Sequence, residues 1–421
     1  MDNVMIFVPH QDDEINLIGN SIDKIKSLGN VIIIYTSLDK RKKEAKIRER
    51  EAIKSCKILG IKKENIIFLR FPDTSNKEGK HFFTQGDRSI IEDIKILIKK
   101  HMPKYIFGTD FDFHSDHRMV SLALDEAIGQ VLLNTKGYYP IVFKGFCYET
   151  AYYGVEDYSA IKLNRTVSKN EILSNSSYEW KNRISIENTD KEGFIWHKKC
   201  YKALKQHKSQ YAILHAKSII NRDNVFWLRR TDNLLYDAKI TVSSGNSDKL
   251  KDFMILDTND IITKNVEDID FSKALWKPEK SDIKPIIDIT FNESKAIKNI
   301  ILHGNPNLKE KFNVPVYIKI NDKTIKRDYI EPFARETVIE INNEKTSRIK
   351  IGFGSQIINS GISEIEIYEK DLKLESVFEK DPSNIYSSKS IIDIINNFIY
   401  DIIVFWTKFK RKLTYYHNRS L

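Results

Sequence analysis

The feature that most restricts this chain is a fourfold alternation between short apolar runs and longer amphipathic stretches near its start. Val4–Pro9 precedes Glu14–Leu28, Val31–Thr36 precedes Lys40–Leu59, Ile66–Arg70 precedes Arg88–His101, and Tyr105–Gly108 precedes Ser115–Gln130. Short runs that are apolar on both faces are what parallel strands need when helices cover them. The longer stretches, with an apolar period of three to four residues, supply those helices. In Lys40–Leu59 the stripe is Ala45, Ala52, Ile53 and Cys56, and Gly60 stands where a helix C-terminus favours glycine. The pattern predicts an α/β, Rossmann-like doubly wound parallel sheet, with a fifth strand beginning at Ile141.

After Tyr236 the texture changes. Short alternating segments follow one another between Gly, Pro, Asn and Asp without helical stretches: Ile240–Ser243, Ile286–Phe291, Ile297–Leu302, Val316–Ile320, Val338–Ile341, Arg348–Phe353 and Ile362–Tyr368. That spacing predicts an antiparallel β-sandwich. The segment Trp227–Leu234 reads as a joint with little spacer, so the two domains are expected to pack directly. Lys370–Ser390 is polar and linker-like. Beyond it Ile391, Ile395, Phe398, Ile402, Phe405 and Phe409 recur at four- and three-residue spacing, one apolar face of an amphipathic helix. The expected units are therefore residues 1–232, 233–370 and 371–421, a division that 421 residues readily accommodate.

Composition narrows the class further. With 41% hydrophobic and 30% charged residues the chain is globular, neither disordered throughout nor collagen-like. Cys56, Cys147 and Cys200 are too few and too scattered for a disulfide framework or a thiolate zinc site, and read as thiols of a reducing compartment. No secretory leader is recognisable at the start, and the most apolar stretch, 391–406, is interrupted by Asp393, Asn396, Asn397 and Asp401, so a spanning helix is not expected. Of the net charge of +10, residues 387–421 carry +4, six basic residues against two acidic. The excess sits on an amphipathic tail and no basic-aromatic stripe marks either domain, so nucleic acid is not the expected partner.

Function in a doubly wound sheet collects at the carboxyl ends of the strands, near the point where strand order reverses. Two clusters of ligand-type residues stand there: His10-Gln11-Asp12-Asp13-Glu14 after the first strand, and Asp110-Phe111-Asp112-Phe113-His114-Ser115-Asp116-His117 after the fourth. A nucleotide would need a glycine-rich phosphate loop, and this acidic turn is its opposite. Two imidazoles and a carboxylate suit a divalent metal of the zinc or iron type with positions left for water and substrate. Either cluster alone has a plainer explanation, since adjacent aspartates at a helix start commonly serve as caps. Both together at one edge of one sheet point to a catalytic metal site.

At these residues the sequence resembles the PIG-L (LmbE-like) N-deacetylases. His10-Gln11-Asp12-Asp13-Glu14 is similar to their His-Pro-Asp-Asp-Glu signature and His114-Ser115-Asp116-His117 to their His-x-Asp-His signature. Arg48 and Glu51 before Leu59-Gly60, Phe71-Pro72-Asp73, and Lys202…His207-Lys208-Ser209-Gln210 in a later helix extend the match over about residues 4–232. Gln11 departs from the usual proline and is expected to loosen the loop slightly. Asp112 stands where some members have a tyrosine, so the role of that tyrosine falls either to another group or to none. The resemblance implies zinc, or another divalent metal, held by His10, Asp13 and His117, with Asp12 as general base. It implies His114 as oxyanion stabiliser, kept cationic by Asp116, and sugar contacts from Arg48 and Asp73. His207 and Gln210 are expected to pack beneath the site. Tyr148, Glu149 and Tyr152 could line a sugar pocket, although ordinary strand alternation explains them as well.

Residues 232–370 resemble a discoidin-like (coagulation-factor type C) sandwich, a fold that often binds carbohydrate. Thr241-Val242-Ser243-Ser244-Gly245, Leu275-Trp276-Lys277-Pro278 and the closing Ile362–Tyr368 carry this similarity. The resulting expectation is a cytoplasmic metal-dependent hydrolase removing the acetyl group from an N-acetylated sugar, N-acetylglucosamine in a glycan or lipid-linked precursor. The alternative is a carbohydrate-binding protein with a vestigial metal site. The tail helix is expected to rest peripherally on the inner face of a membrane, with Lys408-Phe409-Lys410-Arg411-Lys412 beside anionic lipid. Its competitor is a tail that docks its apolar stripe on protein.

Overall fold

The computed structural model describes residues 2–38, 42–73, 88–110, 114–147, 182–190, 193–215, 223–255, 271–306, 314–327, 329–331, 334–357, 359–380 and 391–417. The chain opens with β1 (Asn3–Val8), α1 (Asp13–Ile18), α2 (Ile22–Leu28), β2 (Asn30–Leu38), α3 (Lys42–Leu59), β3 (Ile66–Pro72), α4 (Ser89–His101), β4 (Tyr105–Thr109), α5 (Ser115–Asn134) and β5 (Ile141–Gly145). β1 pairs in parallel with both β2 and β4, β2 with β3, and β4 with β5. The order β5-β4-β1-β2-β3 reverses between β1 and β4, so the two motif-bearing loops leave neighbouring strands at the switch point.

Both faces of this sheet are covered, as its continuous apolar runs require. Met5, Phe7, Ile32 and Ile34 face α4 and α5 through Ile90, Ile94, Val120 and Leu124. Val4, Ile6, Ile33 and Tyr35 face the other way, onto Ile18, Ile25, Ala52 and Cys56. The single helix expected over Glu14–Leu28 is broken by a 3₁₀ turn at Gly19–Ser21. There the Ser21 N–H donates to Asn224 Oδ1 at 3.0 Å, a tertiary partner that replaces a helical one.

The sheet continues where the sequence reads only a joint. After β6 (Ile184–Ile186) and α6 (Lys199–Leu204), β7 (Asn224–Arg229) runs antiparallel to both β5 and β6. Its charged end disguises it: Arg229 is buried, 3.3 Å from Asp125 and stacked 3.8 Å over the Phe253 ring.

The second domain holds β8 (Lys239–Val242), β9 (Ile286–His303), β10 (Val316–Ile320), β11 (Lys323–Arg327), β12 (Thr337–Phe353) and β13 (Glu364–Tyr368), all antiparallel. β9 and β12 each unite two expected strands. They pair along most of their length with register shifts at Glu340/Glu344 and Thr346/Arg348, and Asn342 and Asn343 take positive φ of 57° and 60° in the first bulge. Bulges of this kind bend a strand and increase its twist. The core of this domain gathers Trp276, Ile289, Ile300, Ile349 and Ile365. β11 was hidden by its lysines, which suit an exposed edge strand.

The domains pack directly, as expected. Phe253 N–H donates to Glu364 Oε2 at 3.0 Å while its carbonyl accepts from Arg229 at 3.1 Å. At Gly129 on α5, an added Cβ would lie 2.0 Å from the Asp252 carbonyl oxygen, so only glycine permits this approach.

The expected linker is not a spacer over its described part. Phe378 is buried, stacked 4.6 Å from Phe143, and β14 (Glu379–Lys380) pairs with β6, closing the first sheet as its outer strand. Finally α7 (Ile391–His417) lies along the first domain. It docks through Tyr400 and through Asn396, which accepts from Ile195 N–H at 2.8 Å and donates to the Gly193 carbonyl at 3.0 Å. The face predicted from periodicity is not the docked face.

Candidate active site

The site grows from the turn between β1 and α1. Asp12 sits at φ 131°, ψ −22°, a conformation that non-glycine residues rarely hold and that the surroundings must enforce. Glu14 enforces it. Its fully buried carboxylate accepts from Asp12 N–H at 2.9 Å, from Ser55 Oγ at 2.8 Å and from His207 Nε2 at 2.9 Å. Burial alone would lower the His207 pKa, but the Glu14 carboxylate raises it.

His207 and Gln210, expected in a helix beneath the site, instead follow α6 in and beside a 3₁₀ turn. From there Gln210 Nε2 donates to the Gln11 carbonyl at 2.9 Å, and Ser209 donates to Glu51. Gln11 does not loosen the turn. Its side chain is buried and donates to the Ser37 carbonyl at 3.0 Å, tying the turn to the end of β2, a bond proline could not make.

With Asp12 fixed, Asp13 turns elsewhere. Its Oδ2 accepts from His10 N–H at 2.9 Å and lies 3.3 Å from His10 Nδ1 and 3.2 Å from His117 Nε2. The second motif closes on it from the start of α5, so that the rings of His10, His114 and His117 stand 4.9–5.4 Å apart. Ligand atoms of His10, His114 and His117 all fall within 4.8 Å of one another, and so do those of Asp13, His117 and Cys147.

Asp116 has a different partner from the one expected. Its Oδ2 accepts from His10 Nε2 at 2.9 Å and is 3.7 Å from His114 Nδ1. His114 Nδ1 instead accepts the Asp116 backbone N–H at 3.2 Å, so the ring caps α5. A nitrogen that accepts an N–H carries no proton, so this geometry does not hold His114 as a cation. The Asp116 carboxylate holds a proton on His10 Nε2, so Nδ1, the nitrogen that faces Asp13, is the one to give up its proton to a bound ion.

The neighbouring carboxylates are electrostatically opposite. Burial and then the Asp13 charge push Asp12 up to about 7, with His207 and Arg48 opposing. Burial would raise Asp13 too, yet His117 and His10 hold it well below the usual carboxylate range. For His10, burial is outweighed by Asp116 and Asp13, which raise it to about 9.

Two imidazoles and a carboxylate whose oxygen lies about 3 Å from each, backed by an outer carboxylate, fit a divalent ion of the zinc type. Arg48 on α3 is close enough to influence Asp12. Asp73 is buried just beyond β3, which lies two strands from β1. Asp112, Tyr148, Glu149 and Tyr152 lie outside the described residues. Sequence reasoning missed Cys147 as a neighbour of the cluster. Its signal was its place two residues after β5, at the same sheet edge.

Comparison with curated proteins finds no match. Among solved structures the chain is similar to N,N'-diacetylchitobiose deacetylase from Pyrococcus horikoshii, at 18% identity over 55% of this chain and 84% of that one, TM-score 0.36. It is also similar to the family 32 CBM of C. perfringens NanJ solved with galactose, at 12% identity over 32% and 96%, TM-score 0.23. A Streptococcus pneumoniae fucose binding module, SpX-3, matches at 14% identity over 33% and 99%, TM-score 0.24. The family model described as GlcNAc-PI de-N-acetylase matches residues 5–128, the segment that carries both motifs, and this part of the chain is a PIG-L family domain.

Proposed function

We propose that the protein is a zinc-dependent N-deacetylase acting on an N-acetylated sugar, with N-acetylglucosamine in a glycan or lipid-linked precursor as the favoured substrate. The observation that carries the reading is the divergence of two adjacent carboxylates: Asp13 lies against His10 and His117, while Asp12, turned by its positive φ, is kept a weak acid. The family match over residues 5–128 supports the same chemistry.

His10 Nδ1, Asp13 and His117 Nε2 would hold the ion. Zinc supplies an acidified water and a polarised amide carbonyl. Asp12 takes the attacking water's proton and returns it to the leaving amine. His114, its Nδ1 engaged by the Asp116 N–H, keeps its proton on Nε2 and can donate it to the developing oxyanion. Asp116 acts through His10 as a positioning residue. Arg48 and Asp73 hold sugar hydroxyls, and the sandwich of residues 233–370 is assigned to holding the rest of a glycan. Buried Cys56, Cys147 and Cys200 suit a reducing, cytoplasmic setting.

The test is direct. Zinc-loaded full chain incubated with a panel of N-acetylated sugars and oligosaccharides should release acetate and free amine in equal amounts, and a chelator should stop it. Release from none of the panel by protein that binds zinc stoichiometrically would overturn the reading in favour of a binding protein with a vestigial site.

A further inference from the structure

Helix α7 presents three faces. At about 3.6 residues per turn, Asn396, Ile399, Tyr400 and Ile403 fall on one side, and this side meets the first domain. Asn397, Asp401, Lys408 and Arg411 define a polar side. The third face, roughly 130° from the docked one, is the stripe Ile391, Ile395, Phe398, Ile402, Phe405 and Phe409. Among the described residues it stays exposed: Ile391 is 77% exposed, Phe398 66% and Phe405 64%, with Ile395, Ile402 and Phe409 between 37% and 46%, while Tyr400 on the docked face is 6% exposed.

We infer that this stripe is a docking surface for an anionic lipid bilayer, on which the protein lies with α7 parallel to the membrane plane. A helix already fixed to its own domain by polar bonds has no folding reason to expose so many large apolar side chains on one line. The chemistry at its end selects the occupant. Lys408, Lys410, Arg411 and Lys412 surround Phe409, with Lys410 and Lys412 on opposite flanks of the stripe, where long basic side chains can reach lipid phosphates while the aromatic ring enters the headgroup boundary. Phe194 and Trp196 are a further pair of exposed aromatic rings on the first domain. They stack 4.8 Å apart, both partly exposed, on either side of Ile195, the residue whose backbone Asn396 anchors. Pairing of the stripe with a parallel second copy would bring two such basic clusters together, whereas an anionic surface complements them. Among the described residues no helix is long and apolar enough to cross a membrane, so the contact is interfacial.

The inference is independent of the deacetylase reading, because its test reads location and not turnover. Full-length chain is floated with vesicles of one part phosphatidylglycerol to two of phosphatidylcholine at low salt, beside vesicles of phosphatidylcholine alone. It should float with the first and stay down with the second. Neutralising Lys408, Lys410 and Lys412 to Gln should weaken partitioning about fivefold per residue. Phe398→Asp with Phe405→Asp and Trp406→Asp should abolish it while leaving the thermal melt unchanged, since these side chains are exposed and the ring contacts of Phe405 and Trp406 lie on the helix surface. Failure of the full chain to float, or undiminished flotation of the aspartate variant, would overturn the inference. So would a dimer in sedimentation velocity that the aspartate variant dissolves while the full chain fails to float.

Discussion

Replacing Asp116 by Asn separates two assignments for one carboxylate. In the structure its Oδ2 receives the His10 Nε2 proton at 2.9 Å in a nearly dry setting and stands 3.7 Å from His114. The amide oxygen of Asn can still accept that proton, so the geometry survives and only the charge is lost. A hydrogen bond to an ionised partner contributes about 1.5–3 kcal/mol and a neutral one about 0.5–1.5 kcal/mol, so the change costs about 1–1.5 kcal/mol of ligand orientation and basicity. By the usual conversion this is about a five- to tenfold weaker zinc affinity, near the low end of what outer carboxylates contribute at metal sites. The assay is competition for zinc against a chromophoric chelator, with His117→Ala as the control that should lose the site. Wild-type zinc affinity in Asp116→Asn, accompanied by a large fall in acetate release, would refute this and return Asp116 to His114.

Other outcomes are expected. Asp12→Asn should keep fold and zinc yet lower kcat by about 10²–10⁴-fold, measured by acetate release on the best substrate found. Asn396→Ala, which strands the buried Ile195 N–H and Gly193 carbonyl, should lower stability by about 1–3 kcal/mol in urea titration and free α7 from the first domain. In the sandwich, His303 Nε2 lies 3.4 Å from Glu366 Oε1; burial would lower the His303 pKa, but Glu366 raises it above 6.5. Its contribution is therefore fully present below about pH 6.5 and is lost as pH rises through the raised value. Thermal melts of wild type should fall as pH rises above about 6.5 and through the raised value, and those of His303→Gln should be flatter.

Much of the site was legible because its ingredients are chemical and its geometry topological. Imidazoles and carboxylates after the first and fourth strands meet because β1 and β4 are neighbours at the switch point, and strand alternation was enough to foresee that. Which nitrogen of which ring faces Asp116 was not legible, since it depends on side-chain rotation about a turn that Glu14, Ser55 and His207 lock from three distant segments. β7 was hidden by Arg229, whose charge reads as solvent-facing until its partner Asp125 and the Phe253 ring are seen. In β9 and β12 the asparagine-rich interruptions read as turns but are bulges within continuous strands. For α7, hydrophobic period alone marks the wrong side as docked: Asn396 outweighs the apolar stripe there because it satisfies two backbone groups at once.

The return of β14 to β6 makes the α/β unit discontinuous in the chain, with the entire sandwich inserted between its last two strands. During synthesis the sandwich leaves the ribosome before Phe378, β14 and α7, so the nascent first domain waits with Phe143 and the edge of β6 uncovered while its neighbour folds. Contacts of such sequence separation form late. An uncovered strand edge beside an apolar face invites pairing with another chain in the interval. A fragment cut after the first domain would keep that vulnerable state permanently, so the boundary at residue 232 is a poor place to divide this protein.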